Sequence, residues 1–365
     1  MKIVLSGGGT GGHIYPALAL KNYILTQYPE TEFLYIGSER GLEREIVSKE
    51  NIPFQSIKIQ GIKRSLSLEN IKAAWYMLRS TSHAKKILTD FQPDIVIGTG
   101  GYVCGPVLYA AAKLHIPSII HEQNSVAGIT NKFLSRYVTK ICTCFDTAKH
   151  DFQKYANKVV LTGNPRGQEL VSLEYQQNIL EQIGLKKDKS TVLIFGGSRG
   201  AMNLNKHFIS YINDYTTNDY QVILVTGNAH YQSVIDSLET IPDNIKVLAY
   251  IDNMPDILRA VDLVVCRSGA TTLAELTALG VASILIPSPY VTNNHQEKNA
   301  QTLVDKGAAF MVLEKELAEN KLAILVNDVM QHEEKQKEMA HHAKELGITN
   351  ASERLLTIIK ECVQS

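Results

Sequence analysis

The sequence lacks an excess of either charge and has few cysteines. Its 37 lysines and arginines balance 37 aspartates and glutamates, whereas a protein that binds nucleic acid is expected to be visibly basic. We therefore expect no nucleic-acid partner. The five cysteines form no C-x-x-C pair. An odd number of cysteines without that spacing is typical of reduced thiols in a cytosolic compartment rather than of a disulfide framework.

Long apolar segments are also missing. The amino-terminal string MKIVLSGGGTGGH has an apolar part too short for a signal-peptide core, and it runs directly into glycines. No apolar run approaches the length of about 20 residues that spans a bilayer. We therefore expect a protein that stays inside the cell and meets a membrane only from its surface.

The sequence does contain a regular alternation of short apolar runs and longer amphipathic stretches. The runs are KIVLS, FLYIG, DIVIG, SIIHE and KICTC in the first half, and TVLIFG, QVILVTG, IKVLAY, DLVVC and ASILIP in the second. Brief, continuously apolar runs are typical of parallel strands that helices cover on both faces. The helical periodicity between them predicts the α/β class, with two Rossmann-like domains whose parallel sheets face a cleft.

The second half restarts the pattern of the first, which sets the expected domain boundaries. KIVLSGGGTGG opens one half and TVLIFGGSRGA the other, each as a strand, a glycine loop and a helix. The turn-rich string GNPR at 163–166 lies between them. We predict a first domain over residues 1–162, a second over 163–340, and a helical segment over 341–365 that could pack back on the first domain.

Three glycine loops follow predicted strands. The loop GGGTGG at 7–12 contains G-x-G-x-x-G, and Glu39 follows the next strand, where a dinucleotide enzyme would hold a ribose. An NAD- or FAD-dependent oxidoreductase is therefore one alternative, and a tight turn without a ligand is another. The loops GTGGY at 98–102 and GGSRG at 196–200 favour a ligand bound by both halves. Ligands of open α/β sheets bind at the carboxyl ends of the strands.

A polar string also follows a strand of the second half. In CRSGATTLAE at 266–275, the hydroxyl and N–H groups stand where a helix begins and could hold a diphosphate. Glu275 lies about one turn into that helix, where it could accept hydrogen bonds from both hydroxyls of a ribose. The simpler interpretation is an acidic residue that favours the helix dipole. The string NNHQEKNA at 293–300 is a second polar loop that leads into a helix.

Together these strings resemble nucleotide-diphosphate glycosyltransferases of the GT-B type. They occur in the order of one family, as GGGTGGHIYPALAL, GTGGYVCGP, HEQNSVAGITNK, GNPR, GGSRGAMNLN, CRSGATTLAEL and HQEKNA. That family is the undecaprenyldiphospho-muramoylpentapeptide β-N-acetylglucosaminyltransferases of glycosyltransferase family 28, and the resemblance covers essentially the whole chain. It implies inverting transfer of N-acetylglucosamine from UDP-N-acetylglucosamine to the muramyl C4 hydroxyl of lipid I, which forms lipid II in peptidoglycan biosynthesis.

The resemblance also implies positions for the donor site. The positions that match donor contacts are Thr10, Gly11, Gly12 and Asn124 in the first domain, and Ser198, Ile251, Ala270, Thr271, Thr272, Leu273, Ala274, Glu275, His295 and Gln296 in the second. Among them, the backbone of Ile251 would meet uracil and Glu275 would meet the ribose. The family often reads G-N-P-V-R, whereas here Arg166 comes one residue early, so its contact with the donor stays open.

The implied reaction requires a base for the acceptor hydroxyl and stabilisation of the leaving UDP. The candidate bases are His13, Tyr102, His121 and Glu122. The residues alone do not choose among them. No two aspartates have the Asp-x-Asp spacing with which many glycosyltransferases hold a metal. We therefore expect helix N-termini and hydroxyls to stabilise UDP, with no metal and no cofactor. A non-catalytic nucleotide-sugar binding protein is the remaining alternative.

A lipid acceptor implies an enzyme docked peripherally on the cytoplasmic face of the cell membrane. The candidate surface comprises Ile62, Lys63, Arg64 and Trp75. Trp75 shares the apolar stripe of a predicted helix with Ile71 and Leu78, and basic residues beside apolar ones favour an anionic membrane surface. The simpler interpretation is that the stripe packs on the sheet of its own domain. Other cell-wall synthesis proteins are further expected partners.

Overall fold

The structure is a computed structural model that describes residues 1–59, 68–197, 200–216 and 219–364. In residues 68–75 it describes the helical backbone but not the side chains. The chain forms two compact units, one of Met1–Glu169 with Ile348–Ser365 and one of Leu170–Gly347.

The boundaries of these units lie further along the chain than residues 162 and 340, where we expected them. The first falls later because Gln168, beyond the turn-rich string, accepts a hydrogen bond from the backbone N–H of Ser352 at 2.7 Å within the first unit. The second falls later because the Lys344 ammonium donates to the carbonyl oxygen of Ala278 at 2.6 Å within the second unit.

The first unit is built on a parallel sheet of seven strands. These strands are β1 (Lys2–Ser6), β2 (Glu32–Ser38), β3 (Phe54–Ile57), β4 (Ile95–Gly98), β5 (Ser118–Glu122), β6 (Lys140–Thr143) and β7 (Val159–Leu161). The order across the sheet is β3-β2-β1-β4-β5-β6-β7. The accompanying helices are α1 (Gly11–Gln27), α2 (Glu43–Ser48), α3 (Leu68–Phe91), α4 (Cys104–Lys113), α5 (Ile129–Leu134), the 3-10 helix Asp146–Lys158, and α6 (Pro165–Ser172). Every residue of β4 and β5 is buried, as expected for strands covered on both faces.

The second unit repeats this plan with a parallel sheet of six strands. These strands are β8 (Thr191–Phe195), β9 (Gln221–Val225), β10 (Ile245–Leu248), β11 (Leu263–Cys266), β12 (Ala282–Leu285) and β13 (Ala309–Met311), in the order β10-β9-β8-β11-β12-β13. The helices are α7 (Ile179–Gln182), α8 (Met202–Ser210), α9 (Tyr231–Asp236), α10 (Met254–Ala260), α11 (Ala270–Leu279), α12 (His295–Val304), α13 (Lys321–Gln331) and α14 (Glu333–Leu346). Three 3-10 helices span Ile212–Tyr215, Thr292–Asn294 and Glu314–Ala318.

Both sheets have the strand order of a doubly wound Rossmann fold. The order reverses between β1 and β4 in the first unit and between β8 and β11 in the second. Loops that contain glycine follow all four of these strands at their carboxyl ends, where open α/β sheets bind their ligands. The prediction of two Rossmann-like α/β domains is therefore confirmed.

The last helix of the chain, α15 (Ala351–Gln364), completes the core of the first unit. Its buried face consists of Leu355, Leu356, Ile358, Ile359 and Cys362. The spacing of these residues puts them on one side of the helix, and they form one apolar cluster with Leu5 of β1 and Ile97 of β4. The first unit therefore needs a segment from the far end of the chain to bury its sheet.

We expect Ile359→Ala to destabilise the first unit by about 2–5 kcal/mol, since it leaves a cavity in a fully buried cluster. Hydrogen exchange should show faster exchange in β1–β7 with little change in β8–β13. Thr357→Ala, at an exposed position of the same helix, is the matched control. Equal loss of protection in both units would show that α15 does not belong to the first unit's core alone.

Candidate active site

The two glycine loops of the first unit interlock at the carboxyl edge of its sheet. The N–H of Gly8 donates to the carbonyl oxygen of Gly100 at 3.2 Å. Gly100 and Gly101 have φ angles of +112° and +86°, which strain any residue with a side chain. A Cβ at Gly101 would overlap the Gly8 carbonyl oxygen, and one at Gly100 would overlap the imidazole of His13. The loops can approach each other only because these positions are glycine.

Helix α1 begins directly after the first glycine loop. Thr10 is its N-cap residue, with an extended backbone and an exposed side chain that makes no capping hydrogen bond. Gly11, Gly12 and His13 form the half-buried first turn. An N-terminus of this kind suits an anion, because the positive end of the helix dipole lies there. The Thr99 hydroxyl fixes the end of this turn by donating to the carbonyl oxygen of His13 at 2.6 Å.

A chain of side-chain hydrogen bonds joins His13 to the end of β5. Nδ1 of His13 lies 3.1 Å from Oε1 of Gln123, and Nε2 of Gln123 lies 2.9 Å from Nδ1 of His121. Nε2 of His121 lies 2.9 Å from the carbonyl oxygen of Gly163. Burial lowers the pKa of His121 to about 4, so this imidazole is neutral at pH 7. The structure therefore brings the two predicted histidines into one network through Gln123, which sequence reasoning did not single out.

Glu122 is 1% exposed, and its carboxylate is fully engaged. Oε1 accepts from the backbone and side-chain amides of Asn124 at 3.0 and 3.2 Å. Oε2 accepts from the N–H of Gly128 at 2.9 Å and from the side chain of Asn131 at 2.8 Å. These four donors occupy the lone-pair positions of a carboxylate. The arrangement favours a structural role in which Glu122 shapes the loop between β5 and α5.

The remaining first-unit candidates occupy different environments. The Tyr102 side chain is 55% exposed in the turn before α4. Asn124 is half-buried and held by Glu122. Arg166 lies at the start of α6, where its guanidinium pairs with Glu169 at 2.5 Å and stacks on the Tyr15 ring at 5.6 Å. The Arg166 side chain is thus held by partners within the first unit.

In the second unit, the two predicted polar strings come together. Ser268 is buried, and its hydroxyl donates to the backbone carbonyl of Gln296 at 2.8 Å. The Asn299 side chain donates to the carbonyl oxygen of Ser268 at 3.3 Å. Oε1 of Gln296 accepts from the N–H of Ser288 at 2.9 Å. Nδ1 of His295, at the start of α12, lies 2.8 Å from the carbonyl oxygen of Thr292. The loops after β11 and β12 are therefore tied to the first turn of α12.

Helix α11 begins at Ala270 after the extended residue Gly269, so its first N–H groups point to the carboxyl edge of the sheet. Half-buried residues line its first two turns: Thr271, Thr272, Ala274 and Glu275. Leu273 is 1% exposed within the core, so a ligand could meet only its backbone. Burial raises the pKa of the neighbouring Cys266 thiol, and the charge of Glu275 adds to this effect.

The remaining predicted positions of the second unit are Ile251 and Ser198. Ile251 is half-buried in the loop between β10 and α10. Gly200 has a φ of +73°, and a Cβ there would overlap the Thr226 carbonyl oxygen. Ser198, in the same glycine loop, lies outside the described residues. Sequence reasoning missed the half-buried ion pair of Arg267 and Glu314, because the two are far apart in the chain.

The predicted membrane surface lies mostly outside the described residues. Ile62, Lys63 and Arg64 precede the first described residue of α3, and the Trp75 side chain is not described. Leu78, further along α3, is 71% exposed. Within the described ranges, no helix is both long and apolar enough to span a bilayer. The same ranges contain no cluster of three His, Cys, Asp or Glu side chains that could hold a metal ion.

Comparison with known proteins places both units in one family. The glycosyltransferase family 28 N-terminal domain matches residues 3–143, and the glycosyltransferase family 28 C-terminal domain matches residues 191–355. The chain is 55% identical to the UDP-N-acetylglucosamine--N-acetylmuramyl-(pentapeptide) pyrophosphoryl-undecaprenol N-acetylglucosamine transferase of Halalkalibacterium halodurans, over 99% of both chains. It is 51% identical to the Bacillus subtilis protein of the same name, again over 99% of both chains.

A solved structure agrees with these matches. The crystal structure of Acinetobacter baumannii MurG superposes with a TM-score of 0.78, at 27% identity and over 99% of both chains. The expected GT-B fold class is confirmed, and the oxidoreductase alternative finds no support among these relatives. The chain belongs to glycosyltransferase family 28.

Proposed function

We propose that this chain transfers N-acetylglucosamine from UDP-N-acetylglucosamine to the muramyl C4 hydroxyl of lipid I, with inversion at the anomeric carbon, and so forms lipid II. The observation that carries the proposal is the 55% and 51% identity, over 99% of each chain, to transferases named for this reaction. The acceptor oxygen attacks the anomeric carbon while UDP departs from the opposite face. The enzyme must therefore remove one proton and stabilise one diphosphate.

The second unit binds the donor. The N-terminus of α11 supplies N–H groups and a partial positive charge to the diphosphate, and the hydroxyls of Thr271 and Thr272 stand on the same turn. Glu275 lies next along this helix and accepts hydrogen bonds from the ribose hydroxyls. Gln296 contacts the sugar, because the Ser268 hydroxyl donates to its carbonyl oxygen and holds it beside the loop that ends in Gly269, while the N–H of Ser288 orients its side chain. The backbone of Ile251 meets the uracil.

Glu275→Ala should weaken UDP binding by about 1.5–3 kcal/mol, since it removes a charged acceptor from a pair of hydroxyls. Isothermal titration with UDP measures the change. Glu338→Ala, which removes an exposed acidic residue from α14, is the charge-matched control and should bind UDP as the wild type does. Unchanged affinity in a folded Glu275→Ala variant would exclude the ribose contact.

The first unit supplies the base, and His13 is the candidate that its geometry favours. Both ring nitrogens of His121 have partners inside the protein, and the Glu122 oxygens already accept four hydrogen bonds. Tyr102 is largely exposed to solvent. Of the two ring nitrogens of His13, Nδ1 alone has a partner among the described residues, so Nε2 is available for the C4 hydroxyl. Its place beside the interlocked glycine loops positions it at the ligand-binding edge of the sheet.

The wild-type protein should form the disaccharide lipid from UDP-N-acetylglucosamine and a soluble lipid I analogue, and His13→Ala should lower kcat by about 100-fold or more. UDP affinity should not change, because the proposed contacts to uracil, ribose and diphosphate lie in the second unit. His150→Ala, at an exposed first-unit histidine, is the control. A wild type without transfer would refute the proposed reaction, whereas near-normal turnover by His13→Ala would refute only the choice of base.

We also propose that the first unit docks on the cytoplasmic leaflet, where the polyprenyl chain of the acceptor remains. The part of α3 whose side chains are described supports a surface of this kind. Leu78 is 71% exposed, and Arg79, Lys85 and Lys86 are exposed on the same helix. Apolar and basic side chains presented together favour anionic lipid, and each cation contributes about 1 kcal/mol near the surface. On the sequence alone, the proposal also includes Ile62, Lys63, Arg64 and Trp75.

Ile62→Ser/Lys63→Glu/Arg64→Glu should reduce co-sedimentation with anionic vesicles, because it removes one apolar anchor and reverses two charges. Wild-type binding should fall as salt is raised. The control is Lys186→Glu/Lys187→Glu, which reverses two exposed charges of the second unit. UDP affinity should be intact in both variants. Equal, salt-insensitive binding by all three proteins would place the docking surface elsewhere.

A further inference from the structure

The hydrogen-bond network that joins His13 to His121 ends on two backbone carbonyl oxygens. These oxygens determine which atom is the donor in each of its hydrogen bonds. A carbonyl oxygen only accepts hydrogen bonds, so the atom that faces it must donate. Nε2 of His121 lies 2.9 Å from the carbonyl oxygen of Gly163 and therefore carries a proton. The sulfur of Cys144, a weak acceptor at 3.5 Å from the same nitrogen, is compatible with an N–H there. Because this buried ring is neutral, its Nδ1 carries the lone pair.

The same reasoning fixes the orientation of the Gln123 amide. One end of the amide lies 2.9 Å from Nδ1 of His121 and 3.0 Å from the backbone carbonyl oxygen of His121. Both of these atoms accept, so this end must be the NH2 group. The oxygen of Gln123 therefore faces Nδ1 of His13 at 3.1 Å. An amide oxygen has no proton to give, so Nδ1 of His13 must donate.

We infer that Gln123 and His121 are positioning residues, which hold His13 as the Nδ1–H tautomer with its lone pair on Nε2. This inference rests on the proposed role of His13 as the base. The hydrogen bond that one ring nitrogen makes sets which of the two carries the proton. Without an acceptor at Nδ1, a neutral imidazole prefers the Nε2–H tautomer, which cannot take the proton of the C4 hydroxyl through Nε2.

The surroundings of His13 restrict the ring further. The imidazole fits beside Gly100 because this residue has no side chain, and a Cβ there would overlap Nδ1 of His13. The Thr99 hydroxyl holds the His13 backbone at its carbonyl oxygen. Gln123 is 2% exposed, so water does not readily replace its oxygen as the acceptor. A neutral amide also sets the tautomer without placing a formal negative charge beside the ring.

The kinetic test compares two substitutions of Gln123. Gln123→Leu removes the acceptor at Nδ1 and should lower kcat on the lipid I analogue by at least about tenfold, by analogy with the larger loss when a triad histidine is left in the wrong tautomer. The KM for UDP-N-acetylglucosamine should not change. Gln123→Glu keeps an oxygen facing Nδ1 of His13. With one proton shared between its other oxygen and Nδ1 of His121 in place of the amide N–H, it should recover part of the lost kcat.

The matched control is Gln221→Leu. Gln221 is also 2% exposed, and it bonds to Lys186 and Thr191 within the second unit. Gln221→Leu removes an amide that is as buried as that of Gln123. It should lower thermal stability and leave kcat per folded molecule unchanged. A folded Gln123→Leu variant with wild-type kcat would overturn the inference. So would equal losses in the Leu and Glu variants, which would indicate a merely structural role.

A spectroscopic measurement tests the inference in the wild type, even if Gln123→Leu does not fold. The imidazole 15N shifts of the 11 histidines distinguish the two tautomers, and the signals that are absent from His13→Ala and from His121→Ala identify the two rings. We expect a protonated Nδ1 in His13 and a protonated Nε2 in His121. A protonated Nε2 in wild-type His13 would overturn the inference. If His13→Ala is inactive while Gln123→Leu is fully active, the base is correct and only the positioning role is wrong.

Discussion

The first unit depends on the close approach of two glycine loops at the point where its strand order reverses. The N–H of Gly8 reaches the carbonyl of Gly100 only because neither Gly100 nor Gly101 carries a side chain. This contact joins the ends of β1 and β4 and leaves a space that the His13 ring fills. The glycines that resemble a dinucleotide fingerprint thus position an imidazole as well as a helix N-terminus.

Charged side chains that are buried or half-buried stabilise the loops around these sites. Each of them accepts hydrogen bonds or forms an ion pair. Glu43 is buried and accepts from the N–H groups of Gly9 at 3.2 Å and Ser38 at 2.8 Å. Glu122 plays the same part for the loop after β5, and in the second unit the half-buried Arg267 pairs with the half-buried Glu314. A buried charge is tolerated only when it is paired or hydrogen-bonded. Such groups hold loops in place.

The sequence predicted the strands that are buried on both faces. Among the edge strands it predicted β10, as IKVLAY, and missed β3 and β13. The continuous runs of β4, β5, β8 and β11 are apolar because helices cover them on both sides. The edge strand β3 was not predicted, because its FQSI sequence is short and mostly only partly buried. The domain boundaries lie later in the chain than expected, because α6 and α14 are held by contacts with residues distant in sequence.

By itself, the sequence determined the fold class and the family, because strand patterning and short motifs are local properties, and it supplied the candidate residues of both proposed sites. It did not choose among His13, His121, Glu122 and Tyr102, which all stand near strand ends. The contacts that support our proposal of His13 exist only in the tertiary structure. His13 and Gln123 are 110 residues apart, and Gly163 follows His121 by 42. Whether a nitrogen donates or accepts depends on the atom that faces it, and folding alone decides which atom that is.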